Sequence, residues 1–267
     1  MESSLDWHGA KALLEWYVEL GAVDAVGDVP IDRYGLAEAT PAAQKRRAPE
    51  PAATSPGPGP VPVAAYHHVA EATALAGAAQ DLEALAEAMR GFEGLELKKG
   101  ARNFVFADGT PGARVMILGE APGAEEDRMG LPFVGRAGQL LDRMLAAIGL
   151  ARNHPDATRA VYISNILPWR PPGNRTPTPQ EMAMMVPFVR RHIALADPEV
   201  LILMGNTPCG ALLGRAGILR MRGNWTQAEG RPVMPMTHPA YLLRNPAAKR
   251  EAWADLLEIQ AKLKETP

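Results

Sequence analysis

A chain of 267 residues with 47% hydrophobic and 22% charged side chains has an ordinary globular composition, long enough for one substantial domain with additions. Its formal net charge of −2 excludes a histone-like polycation, but not an enzyme that meets nucleic acid through a local basic patch. No apolar run reaches the roughly 18 residues of a membrane span, no basic-then-apolar leader opens the chain, and the single cysteine, Cys209, has no intramolecular partner. A cytoplasmic monomer without membrane association is expected.

In chain order, residues 1–40 are expected to form a helical segment: the spacing of Leu13, Leu14, Tyr17, Val18 and Leu20 predicts one shared face, and Gly21 stops the pattern. Such a helix either binds a partner or packs on the main domain. Residues 41–66 are rich in Pro, Ala and Gly and poor in large apolar groups, which predicts a semi-extended linker. Lys45, Arg46 and Arg47 read there as a solvated basic cluster. The main domain is expected over 67–267. Leu82, Leu85, Ala86 and Met89 mark a helix stopped by Gly91. Apolar strands follow at 114–118, 161–166, 200–204 and 232–236, alternating with helices from about 137, over 179–196, from 205 through 213, and over 249–263. Strands this apolar, alternating with helices, predict a parallel sheet covered on both faces. Ligands gather at the carboxyl ends of such strands, so the loops at 119–135, 165–175, 205–209 and 237–244 should converge.

The first of these loops is the most distinctive. It runs through Gly119, Gly123, Gly130 and Gly135 with Pro122 and Pro132, and carries Glu120, Glu125, Glu126, Asp127 and Phe133. An ordinary α/β connection needs only about two to six residues. Glycine lets main chain approach a ligand closely, so this stretch reads as the wall of a site. The second loop starts at Asn165, whose amide offers a donor and an acceptor to the edge of a base; taken alone it would equally suit a turn. Arg170 and Arg175 flank a stiff Pro171-Pro172 and suit phosphates or ion pairs. In the fourth loop His238 precedes Pro239 and is trailed by Leu242, Leu243 and Arg244. Leucines beside an arginine fit a wedge into a base stack, or a hydrophobic staple before the last helix.

These segments, GEAPGAEED with GLPFVGRAGQLLDRML, then YISNILPWRPPGNRTPTPQE, then HPAYLLR, resemble the uracil-DNA glycosylases of the family 4 branch. The similarity spans roughly 81–263, with the motifs in order. It implies a three-layer α/β/α fold with a four-stranded parallel sheet, and hydrolysis of the uracil–deoxyribose bond in DNA. By position, the resemblance implies that Phe133 stacks on the flipped uracil, Asn165 bonds its O4/N3 edge and His238 faces O2. It also implies that Glu120 and the main chain of Ala121 hold the water, and that Glu126 lies near the C5 edge. Arg170, Arg175, Leu242, Leu243 and Arg244 become the expected DNA contacts.

In one respect the chain departs from that family, whose members typically carry a [4Fe–4S] cluster on four cysteines. The matching positions fall in Phe92-Glu93-Gly94-Leu95, at Trp169 and near Met185, and none is cysteine. Cluster ligation needs thiolates. Cys209 lies elsewhere and reads as a small buried hydrophobe. No cofactor is expected: His67 and His68 form no metal set with other ligands, and His154 and His192 read as surface residues. The competing reading is a member that has lost catalysis and binds DNA or a protein partner, which the missing cysteines and Ala240, where serine is common, would favour. A nucleotide-binding α/β protein is disfavoured, because the glycine loop lacks the GK[ST] phosphate cradle.

Overall fold

The computed structural model describes residues 63–265, with side chains from residue 67. The helical segment expected over 1–40 and the linker expected over 41–66 lie outside the described residues as far as 62; residues 63–66, expected as linker, instead begin a helix, Val63–Ala78. The described residues all fall within one compact unit, Pro60–Pro267.

The sheet has six strands in the order β1-β3-β2-β4-β6-β5. Its core is the expected parallel set: β2 (Val115–Gly119), β3 (Val161–Asn165), β4 (Val200–Met204) and β6 (Arg231–Met236). Two short strands, β1 (Ala107–Gly109) and β5 (Thr226–Ala228), pair antiparallel to β3 and β6 and close the two edges. Each is only three residues long, too short for a period-two pattern to announce it in the sequence.

Side chains alternate across the parallel strands and feed two cores. Val115, Ile117, Val161, Ile163, Ile202, Met204, Met234 and Met236 face α4 (Arg136–Ala147) and α9 (Lys249–Glu265), packing on Leu141, Leu145, Leu256 and Ile259. Met116, Leu118, Tyr162, Leu201, Leu203 and Val233 face α5 (Pro179–Ala196) and α6 (Asn206–Leu213), packing on Val189, Ile193 and Cys209. The result is a helix–sheet–helix sandwich. Cys209 is buried as expected, and burial pushes its thiol up to about 12.

A third apolar block joins α5 to α1 (Val63–Ala78) and α2 (Leu82–Gly91). Asp81 caps α2 by accepting from Ala84 N at 2.8 Å. Helix α1 was not legible as an amphipathic pattern, because alanines make most of its contact face. Ala72 and Ala76 are buried, and such small residues let α1 lie close against α5. In this block Phe92, Leu95, Trp169 and Met185 are all buried, with Phe92 edge-on to Phe188 at 5.5 Å between ring centroids. The positions where the resembling enzymes carry cluster cysteines are therefore filled by interlocked apolar side chains. They offer no thiolate, so these residues do not fit an iron–sulfur cluster.

Candidate active site

All four parallel strands end on one edge of the sheet, and the loops leaving them enclose a cavity of about 670 Å³. Glu120, Ala121, Glu126, Phe133, Asn165, His238, Arg175 and Arg244 all line it. Residues separated by more than a hundred positions thus meet because each follows a strand of the same direction.

Gly119 ends β2 in register with Asn165 at the end of β3. The pairing continues past the strands, with Ile166 N donating to Gly119 O at 2.9 Å and Leu167 N to Glu120 O at 3.0 Å, so the Glu120 main chain is fixed. A Cβ on Gly119 would lie 2.6 Å from the Phe133 ring, which explains a glycine at this strand end. Asn165 is buried, and its amide makes no hydrogen bond within the protein among the described residues. A buried amide left without a partner is costly, and one turned to a cavity is available to a ligand. The hydroxyl of Thr237, beside His238, is likewise buried and unpartnered.

Phe133 has φ of +53°, a left-handed conformation unusual for an aromatic residue. Strain of this kind persists only where the surroundings impose it. Here Arg152 donates to Pro132 O at 3.0 Å and to Phe133 O at 2.9 Å, and is itself tied to Asp108 at 2.6 Å and Asp142 at 2.8 Å. On the other side Glu126 accepts from Val134 N at 3.0 Å and Gly135 N at 2.9 Å through Oε1, and from Gly123 N at 3.2 Å through Oε2. Glu126 lies on α3 (Ala124–Met129), a short helix inside what the sequence presents as a continuous glycine-rich loop. Both its oxygens are engaged in holding that loop together.

The Phe133 and His238 rings stack at 5.3 Å with planes 26° apart. His238 caps α8 (Pro239–Arg244) by accepting at Nδ1 from Ala240 N at 3.2 Å. Burial pushes its pKa down to about 4; the Arg244 charge lowers it further, and the Glu126 charge acts in the opposite sense. At neutral pH the ring is therefore neutral, and because Nδ1 accepts, the proton sits on Nε2. Glu120 is half-buried, and its Oε2 accepts a short hydrogen bond from the Thr207 hydroxyl in the first turn of α6.

Thr207 and Arg152 were absent from the sequence reading. Thr207 had a weak signal in its place just after Gly205, at a strand end; Arg152 had none, since its partners are assembled only by the fold. Three expected DNA contacts do not line the cavity. Leu242 has no exposed surface and packs in the core against the sheet. Leu243 is half-buried on the same core, and Arg170 donates to Asn174 Oδ1 at 2.7 Å rather than lining the cavity. Arg175 reaches the cavity, but its guanidinium is held by both Glu181 oxygens, at 2.8 and 2.6 Å.

Among the other histidines, His192 and the His67–His68 pair differ from expectation, and His154 does not. His192 is buried, not on the surface: it stacks on Phe106 at 4.4 Å, bonds the Tyr162 hydroxyl at 2.9 Å, and is pushed down to about 3 by burial. His154 is partly exposed. Glu71, on α1, joins His67 and His68 in a group whose donor atoms lie within 4.8 Å of one another, an acidic partner missed when the histidines were considered alone.

The cavity thus brings together an aromatic ring, a free amide, a neutral imidazole N–H and a positioned carboxylate at the strand ends of an α/β sandwich. The sequence model of the Uracil DNA glycosylase superfamily matches residues 106–257, and the chain belongs to that superfamily. It is 37% identical over 169 residues to the type-4 uracil-DNA glycosylase of Thermotoga maritima, a span of 61% of this chain and 84% of that enzyme. The type-4 enzyme of Pyrobaculum aerophilum is 35% identical over 185 residues, 66% of this chain and 91% of its own length. Similarity to the type-5 uracil-DNA glycosylase of Thermus thermophilus is less extensive, 31% over 120 residues, or 41% of this chain and 54% of that enzyme.

Proposed function

We propose that this chain is a uracil-DNA glycosylase that starts base-excision repair by hydrolysing the bond between C1′ of deoxyribose and N1 of an extruded uracil, without an iron–sulfur cluster. The observation that carries this reading is the pairing of a buried, unpartnered Asn165 amide with a neutral His238 whose proton is on Nε2, both on a cavity walled by Phe133. Extruded bases are bound by stacking and by hydrogen bonds to their Watson–Crick edge. Phe133 supplies the stacking face, and Asn165 donates to O4 and accepts from N3–H.

As the C1′–N1 bond breaks, the electron pair leaves with uracil and negative charge develops on O2. The His238 Nε2–H donates there, stabilising the transition state more than the ground state. Glu120 orients the attacking water, accepts its proton as the oxygen bonds to C1′, and offsets positive charge on the sugar. The Thr207 hydroxyl occupies one Glu120 oxygen, leaving the other to the water. Arg244, exposed and without an ion pair among the described residues, is the cation of this cavity best able to meet a phosphate.

The test is incubation with single- and double-stranded oligonucleotides containing one uracil, followed by alkali to cut at abasic sites. Cleavage confined to the uracil position is expected. Intact oligonucleotide, under conditions where the protein binds the same DNA, would overturn the reading in favour of a binding protein.

A further inference from the structure

The resemblance placed the DNA wedge in the loop after His238, yet Leu242 is turned wholly into the core and Leu243 is half-buried. A different leucine stands at the cavity. Leu219, on α7 (Ile218–Met221), lines the same cavity as Tyr241 and Arg244 and is 59% exposed, more than Met129, Leu131, Trp253 or Leu257. Single exposed leucines are common on protein surfaces and need no explanation by themselves. Leu219 is set apart by how firmly its turn is braced.

On its N-terminal side the Asn206 side chain accepts from Gly217 N at 3.0 Å and Ile218 N at 2.8 Å, fixing the turn to the start of α6, next to Thr207. Gly217 has φ of +101°, a conformation that favours glycine and turns the chain outward. On the C-terminal side Arg222 is locked to the buried carboxylate of Asp255, with 2.9 Å from Nε to Oδ2, and donates to Glu251 O at 2.8 Å. Arg215, just before the first anchor, and Arg220, between the two, are exposed and make no ion pair among the described residues. An apolar tip on a turn held at both ends, with unpaired cations beside it, has what is needed to enter a base stack while phosphates are held on either side.

We propose that Leu219 is the wedge that opens the duplex beside the target nucleotide, with Arg215 and Arg220 holding the flanking phosphates. This rests on the reading of the cavity as a site for an extruded base, and it assigns duplex opening to the segment after β4 rather than to the one after β6. The burden falls on double-stranded substrate, where a pair must be broken and a step unstacked, and not on single strands.

The experiment uses the full chain and a duplex in which the uracil nucleotide carries a 2′-fluorine, which resists hydrolysis, next to a 2-aminopurine whose fluorescence rises when it is unstacked. The wild type is expected to raise the fluorescence at saturation, Leu219→Ala to leave it near the free-duplex value, and Leu219→Phe to retain the rise. On cleavable substrates Leu219→Ala should turn over duplex uracil roughly tenfold or more slowly, yet stay within about twofold of wild type on single strands. A rise in Leu219→Ala equal to that of wild type, or no rise with wild type, overturns the proposal. So does an equal loss on single and double strands, which would make Leu219 structural. A wild type that opens the stack but releases no uracil from any strand refutes the glycosylase reading and leaves the wedge standing.

Discussion

Two regions of this molecule treat their side chains in opposite ways. The block between α1, α2 and α5 buries Phe92, Leu95, Trp169, Met185 and Phe188 against one another, in apolar contact throughout. The cavity at the strand ends leaves the Asn165 amide free and the Thr237 hydroxyl buried without a partner, and holds an aromatic residue at positive φ. Stability comes from the first kind of packing, whereas the second spends stability on groups that wait for a ligand. The contrast also bears on the absence of cluster cysteines. Where the resembling enzymes bridge the segments around 92, 169 and 185 with iron and sulfur, this chain joins them by apolar burial, and the joint lies outside the lining of the cavity.

The comparison can be broken most directly from the packed side. Phe92→Ala removes a buried ring from a site whose neighbours are also large, so relaxation can only partly fill the gap. A loss of about 3–5 kcal/mol is expected from denaturant unfolding, with uracil release by the remaining folded protein little changed. A large fall in activity per folded molecule would show that the block shapes the cavity after all.

From the cavity side, His238→Ala should lower single-turnover uracil release by roughly 10²–10³-fold, the usual cost of losing a donor to developing negative charge, with unfolding stability reduced by only about 0.5–2 kcal/mol, the cost of a lost helix cap. The pH dependence has a definite sign. A histidine held down to about 4, against an ordinary value of 6.5, stays neutral through the physiological range. Its contribution to stability is complete above 6.5 and is lost as pH falls through about 4. Nitrogen NMR of the imidazole should show Nε2–H and no titration between pH 8 and 5. A midpoint near 6.5 would sink the assignment.

Much of this was legible in the sequence, and the limits are physical. The parallel strands were readable because β2, β3 and β4 are buried on both faces and are therefore largely apolar, β3 turning polar only at Ser164 and Asn165 where it ends. The residues lining the cavity stood at strand ends, beside glycines and prolines that restrict the chain. What the sequence hid depends on contacts made at long range. His192 reads as surface on its helix until Phe106 and Tyr162 are brought over it from other elements. Leu242 and Leu219 are indistinguishable by type, and only the packing of α8 on the core separates a buried leucine from an exposed one.

Glu126 shows the same limit in its chemistry. Its place in the motif suggests a side chain that blocks the methyl of thymine and could be removed to admit it. The structure shows three main-chain N–H groups resting on its two oxygens, two of them from Val134 and Gly135, directly after the strained Phe133. Glu126→Ala should therefore loosen the stacking wall and cut uracil release by more than tenfold, since several charge-assisted hydrogen bonds are lost together. No gain of thymine release from T:G duplexes is expected. Thymine release with uracil activity largely kept would restore the steric role.

The smallest expected effect isolates one hydroxyl. Thr207 touches neither the stacking face nor the base edge; it acts through Glu120, whose Oε2 it holds from the first turn of α6. Valine matches threonine in shape, so Thr207→Val removes the hydrogen bond without opening a cavity. The carboxylate then keeps its charge but can rotate, and the water it aims loses alignment with C1′. A single such bond to a charged group contributes about 1.5–3 kcal/mol, of which relaxation recovers part, so kcat should fall roughly tenfold. Because the proposed uracil contacts are Phe133, Asn165 and His238, KM should stay within about twofold of wild type. Thr207→Ser, which retains the donor, should restore most of the rate. If the serine variant is as slow as the valine one, or if KM rises while kcat holds, Thr207 supports the strand end and not the reaction.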